Sequence, residues 1–169
     1  NYWGTTIILN IIQHLVPQLA YDLTPVCSQP NTGGYKTSDF QLETLKLAFI
    51  AMNDEEYESA DVLFKQVIDS WPETDYSLLA ISGLFSNNYR SGGSWLNYEL
   101  YLNQIVQDST YSNDFNNHIF NYQNLSLRER GEYGQAIANY ESIILNNPAY
   151  NDSIYAVIDI GNTYLEAGN

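Results

Sequence analysis

GEYGQAIANYESIILNNP, residues 131–148, carries the pattern that decides the fold. Tyr133, Ala136, Ile137, Tyr140, Ile143 and Ile144 recur at steps of three and four, which puts them on one face of a helix. Gly131 stands before that helix, and Pro148 closes it because it lacks the N–H that another turn needs. The small Ala136 lets a neighbouring helix come close, and Tyr140 one turn later fills the space beside it. The same order of residues occurs in EEYESADVLFKQVIDSWP, residues 55–72. Tyr57, Ala60, Phe64, Val67 and Pro72 each lie 76 residues before Tyr133, Ala136, Tyr140, Ile143 and Pro148. Helix periodicity alone does not give one offset at five positions, so these are two copies of a unit with a third between them. Trp95, Leu102 and Ile105 meet that requirement, 38 residues after Tyr57, Phe64 and Val67. In this middle copy Tyr98 replaces the small Ala, and its ring works against close packing.

These residues resemble the tetratricopeptide (TPR) repeats, helix–turn–helix units of about 34 residues that stack into a superhelix. Gly131, Tyr133, Ala136, Tyr140 and Pro148 match the second half of that family's pattern, and Ile160, Gly161, Tyr164 and Gly168 match the first. Leu47, Ala48, Ala51, Tyr57, Ala60, Phe64 and Pro72 follow both halves, with Ala in place of the first-helix Gly and Tyr. The likeness covers residues 38–169, and its period of 38 implies longer turns or helices than the family's norm. The fold it implies is all-α: a right-handed superhelix of antiparallel helix pairs, about seven helices, behind an irregular N-terminal segment.

The rest of the chain divides accordingly. Ser38 or Asp39 is placed to cap a helix running to Met52, with Asn53 and Asp54 in the turn. Further helices are expected over residues 55–71, 73–89, 95–108, 113–130 and 151–167, with Ser91-Gly92-Gly93-Ser94 as a clear break. Each pair has an apolar stripe too wide to bury alone, and stacking of successive pairs is what covers it.

Residues 1–37 differ. The apolar run from Ile7 to Leu19 has helical spacing interrupted at Pro17, though its β-branched content also suits a short strand, and Pro25, Pro30, Gly33 and Gly34 mark a linker. Asn1-Tyr2-Trp3-Gly4-Thr5-Thr6, the apolar stretch and the step from Asp22 to Pro25 resemble the last turn of secreted right-handed β-helix proteins. That resemblance implies an upstream solenoid; the plainer alternative is that Trp3 and the isoleucines form a lid on the first repeat. With no initial Met, and an end where a second helix is due, the sequence is expected to be a piece of a larger, secreted bacterial protein at or outside the cell surface.

Net charge is −14 with six basic residues, a balance that disfavours nucleic acid and anionic membrane surfaces as partners. No run reaches the length of a membrane span. Cys27 is the single cysteine, which rules out an internal disulfide or a cysteine metal site. No catalytic grouping has convincing spacing: His14 and His118 are far apart, and Asp54, Glu55, Glu56 and Glu58 do not follow a calcium loop but suit a solvated helix start. The expectation is a protein with no catalytic role, cofactor or metal. Tyr57, Tyr133, Tyr140 and Tyr164 hold repeat positions and are assigned to packing; Tyr98, Tyr101, Tyr111, Tyr122, Tyr150 and Tyr155 are open to packing, to stacking on sugars or to anchoring a peptide.

In the TPR family the first helix of each unit lines a groove that holds a peptide or a partner's helix. The resemblance places that groove at Leu45, Phe49, Met52 and Asn53 in the first unit and at Asn121, Leu125 and Arg128 in the third. In the last unit it falls on Tyr155, Ile158, Asn162 and Leu165. The function implied is protein–protein interaction or assembly, self-association included. The alternatives are a glycan-binding or carbohydrate-processing accessory module, motivated by the aromatic content, and a structural subunit or spacer of an extracellular assembly.

Overall fold

The computed structural model describes residues 37–107, 110–146 and 150–168, with side chains described from Phe40 onward except at residues 146 and 150–153. The chain divides between Tyr35 and Lys36, and all the described residues belong to the second unit. The N-terminal helix or strand, the β-helix-like opening, His14, Cys27 and Pro148 lie outside the described residues.

Among the described residues the fold is all-α. Seven helices follow one another: α1 Thr37–Asn53, α2 Tyr57–Ser70, α3 Asp75–Ser91, α4 Trp95–Val106, α5 Asn113–Glu129, α6 Tyr133–Asn146 and α7 Tyr150–Glu166. Tyr57, Trp95 and Tyr133, 38 residues apart, are the first residues of α2, α4 and α6.

The turns repeat with the helices. Glu55, Gly92, Gly131 and Gly168 all have left-handed backbones, at φ +64°, +65°, +75° and +79°, and each follows the first helix of a pair. At Gly131 the turn closes through Gly131 N–H to Arg128 C=O (2.9 Å) and Glu132 N–H to Leu127 C=O (2.9 Å). Glu55 does the same with Met52 (3.3 Å), while Glu56 N–H reaches Ala51 C=O at 2.8 Å. This paired bonding satisfies the orphan carbonyls of a helix end and turns the chain back on itself. It also corrects the expected start of α2, which begins at Tyr57 because Glu55 lies outside the helical region; of the acidic residues, Glu58 alone falls in its first turn.

Hydroxyls set the other starts. Thr74 and Ser77 bond each other's backbone N–H reciprocally, at 3.2 and 3.1 Å, so α3 begins after Thr74 rather than at Glu73. Ser94 and Ser112 accept from Asn97 N–H (3.3 Å) and Phe115 N–H (3.4 Å) at the heads of α4 and α5.

Packing follows the repeat. Ala60, Phe64 and Val67 of α2 are fully buried, as are Ala136 and Tyr140 of α6. The Phe64 ring meets Phe49 edge-on at 5.0 Å and lies against the backbone of Gly83 in α3, where an added Cβ would fall 2.4 Å from Cε1. That gap is why α2 and α3 run in close contact, as α1 and α2 also do. In the middle pair Tyr98 is buried between the rings of Phe85 (5.9 Å) and Trp95 (5.8 Å), and the backbones of α3 and α4 approach at few points. A ring in the small residue's place holds α4 away from α3.

Candidate functional site

α1 packs on α3 and α3 on α5, and polar side chains join α1 to α3, α3 to α5 and α5 to α7. Arg90 of α3 donates from Nη1 to Asn53 Oδ1 of α1 at 3.3 Å. His118 of α5 donates from Nε2 to Leu78 C=O of α3 at 3.1 Å, with its ring 5.1 Å from Tyr122. Burial holds the His118 pKa below its usual value, against the opposing pull of the Leu78 carbonyl. Arg128 of α5 donates from Nε to Glu166 Oε2 of α7 at 2.8 Å and stands 3.8 Å from Asp159 Oδ1.

The Arg128 guanidinium is nearly enclosed, with 9% of its side chain exposed. Burial alone would weaken its charge, but its hydrogen bonds to Glu166 and Tyr140 outweigh that and raise its pKa. Burial pushes the Tyr140 hydroxyl up to about 12, aided by the charge of Asp159. Asp159 is itself raised by burial, in spite of Arg128 beside it.

The expected groove residues separate under this geometry. Leu45 and Met52 are buried in the core and offer no surface to a partner, which corrects their place in the groove. They are taken up because α1 is packed by both α2 and α3. Phe49 is half-buried against Phe64. Asn53 and Asn121 are exposed, Leu125 is half-buried, and Arg128 is committed to α7. Tyr155, Ile158, Asn162 and Leu165 are all exposed on α7.

The family pattern places no groove residue in the second unit, yet Arg90 is exposed there and, among the described residues, is bonded to the neutral Asn53. Its signal was available: Arg90 lies 38 residues before Arg128. Arg130, by contrast, pairs with Glu99 and Glu132, and Lys65 pairs with Asp61 at 2.7 Å.

Of the open tyrosines, Tyr98 is buried, Tyr101 is half-buried with its hydroxyl 2.8 Å from Asp69 Oδ1, and Tyr111 and Tyr122 pack half-buried on the core. Tyr155 is 68% exposed. Tyr164, assigned to packing by the repeat pattern, is instead 45% exposed. No group of histidine, cysteine or carboxylate side chains suited to a metal occurs among the described residues, and no described helix is long and apolar enough to cross a membrane. No protein-family profile, curated protein or solved structure matches the chain.

Proposed function

We propose that this chain is a non-catalytic helical-repeat module of the TPR-like kind, which engages a protein or peptide partner along the first helices of its pairs. The observation that carries the reading is that Asn53, Arg90, Asn121 and Asn162, one on each of α1, α3, α5 and α7, are exposed, with Arg90 and Asn53 in contact. Side-chain amides and an accessible guanidinium suit an extended or helical peptide, because they bond backbone groups and carboxylates with little regard to sequence. The packing of most described tyrosines removes much of the motive for a glycan-binding reading. A setting within a larger, secreted bacterial protein rests on the likeness of residues 1–30 to β-helix ends.

The test is capture from the medium in which the native protein resides, comparing the wild-type chain with Arg90→Glu and Asn53→Asp. A partner retained by the wild type and lost at least tenfold by Arg90→Glu is expected. Capture that both variants leave unchanged would remove the first-helix surface as the binding face.

A further inference from the structure

Among the described residues, α5 is the helix that belongs to both hydrophobic cores. Phe115, Ile119 and Tyr122, in its first half, pack in the larger core, and Leu127, near its end, packs in the smaller one. The described residues of α1 to α4 serve the larger core, and those of α6 and α7 the smaller. Two packed groups of helices therefore meet along α5. The His118 bond to Leu78 fastens the first half of α5 to α3 as well.

The seam between α4 and the second half of α5 is polar, where the seam between α2 and α3 is apolar. Counted back from the left-handed turn residue, position eight is Leu84 in α3 and Gln123 in α5. Leu84 is 1% exposed in the larger core, whereas Gln123 donates from Nε2 to Asn103 Oδ1 of α4 at 2.8 Å. Three residues on, Ser126 donates from Oγ to Glu99 Oε1 of α4 at 2.7 Å. α5 also approaches α4 less closely than α3 approaches α2. An apolar seam that parts exposes its surface to water, but amides and hydroxyls that part exchange one partner for water at little net cost.

Arg130 stands at the far end of this seam. Its Nη1 donates to Glu99 Oε2 of α4 and its Nη2 to Glu132 Oε1, on the residue before α6. α4 and α6 do not pack on each other among the described residues, so this guanidinium spans a gap between them. The side chains of Glu99 and Arg130 are 14% and 27% exposed. An ion pair that water can reach is weak on its own, so it holds such a seam without locking it.

We infer that the helical unit is jointed along α5: α5, α6 and α7 swing as one arm about Phe115 and Ile119, and Arg130 is the clasp that holds the arm against α4. The anchor lies at one end of α5 and the clasp at the other, with the polar seam between them. Release of the clasp opens the seam from the Arg130 end and changes the spacing between Arg90 on α3 and Asn162 on α7. On the partner-binding reading above, the clasp thereby sets how wide a partner the first helices accept.

Pulsed electron spin resonance on the full chain with Cys27→Ser tests the joint. Labels at Asn97→Cys, early in α4, and Ala138→Cys, early in α6, are exposed and straddle the gap on the clasp side. One narrow distance is expected with the clasp intact. Arg130→Met and Glu99→Gln should each move it to longer values and broaden it about twofold. A second pair, Val62→Cys on α2 with Asn97→Cys, lies within the first group of helices and should stay narrow in both variants. A gap distance that neither variant changes overturns the joint. Equal broadening of the two label pairs overturns it as well, because the variants would then loosen the whole unit. The movement is read without a partner, so its failure and that of the first-helix binding surface are distinguishable.

Discussion

At the scale of single residues the repeat is written most plainly in backbone conformation. Of the five described turn residues with a left-handed φ, the four that follow α1, α3, α5 and α7 are spaced 37, 39 and 37 apart, and three of those four are glycine. Glu55 is the exception. An L-residue there suffers the clash of its Cβ with the following carbonyl, at a cost of roughly 1 kcal/mol that glycine avoids. Glu55 is exposed, so Glu55→Gly loses little on the surface. The substitution should stabilise the chain by about 0.5–1 kcal/mol, after allowance for glycine's freedom when unfolded, measured by urea denaturation. Unchanged or reduced stability would mean that the turn is not strained. The reverse holds at Gly83. A methyl group there would overlap the Phe64 ring, which is wholly enclosed and has no room to swing aside. Gly83→Ala should cost about 1–3 kcal/mol even though alanine is the better helix former. A gain in stability would show that α2 and α3 can separate freely.

At the scale of helices, what distinguishes one pair from the next is how it is fastened. His118 ties α5 to α3 as a neutral donor, half-buried beside Tyr122. Its folded pKa lies below the 6.5 of an ordinary imidazole because burial opposes the charge. The unfolded chain therefore takes up the proton first. The stability contributed by the neutral ring is full above pH 6.5 and is lost as the pH falls from there through the folded value. Denaturation at pH 7.5 and pH 5 should show a larger loss for the wild type than for His118→Gln; equal losses would place the ring in solvent. This fastening also shows where the sequence was legible and where it was not. Tyr57, Ala60, Phe64, Tyr133, Ala136 and Tyr140 announced both the helices and their buried faces, because a three-and-four spacing translates directly into one side of a helix. Helix starts at Tyr57 and Asp75 were two residues later than expected, since Glu55 and Glu73 hold left-handed turns that no spacing rule reveals in a glutamate. The first-helix surface was half legible. Of the groove positions the register gives, Asn53, Asn121 and Asn162 are exposed, while Leu45 and Met52 go to the core. Burial there depends on which helices flank α1 on both sides, a long-range fact that a local pattern does not contain.

At the scale of the whole helical unit, burial is uneven along the chain. One continuous core runs from Leu45 in α1 to Ile119 in α5 and includes Phe64, Ile68, Ile81, Leu84 and Leu102. A second, smaller core gathers Ala136, Tyr140 and Ala156, with Leu127, Ile143, Ile144 and Ile160 packed around it. In a stack whose units touch only their neighbours, stability is close to a sum of unit and interface terms, so the smaller core should open at less cost than the larger. The strap across that opening is Arg128, which leaves α5 to hold Glu166 and Asp159 on α7. Its ion pairs are partly screened, since Glu166 is 47% exposed, and their loss should cost about 1 kcal/mol rather than the several expected of a fully buried pair. Amide hydrogen exchange in rising urea separates these terms. Amides of α6 and α7 should exchange at lower denaturant than those of α1, α2 and α3, and Arg128→Met should widen the gap by moving α7 while leaving α1–α3 where they were. If all seven helices exchange together, at one denaturant concentration and with one response to Arg128→Met, the unit folds as a single cooperative body and the division into two cores carries no energetic weight.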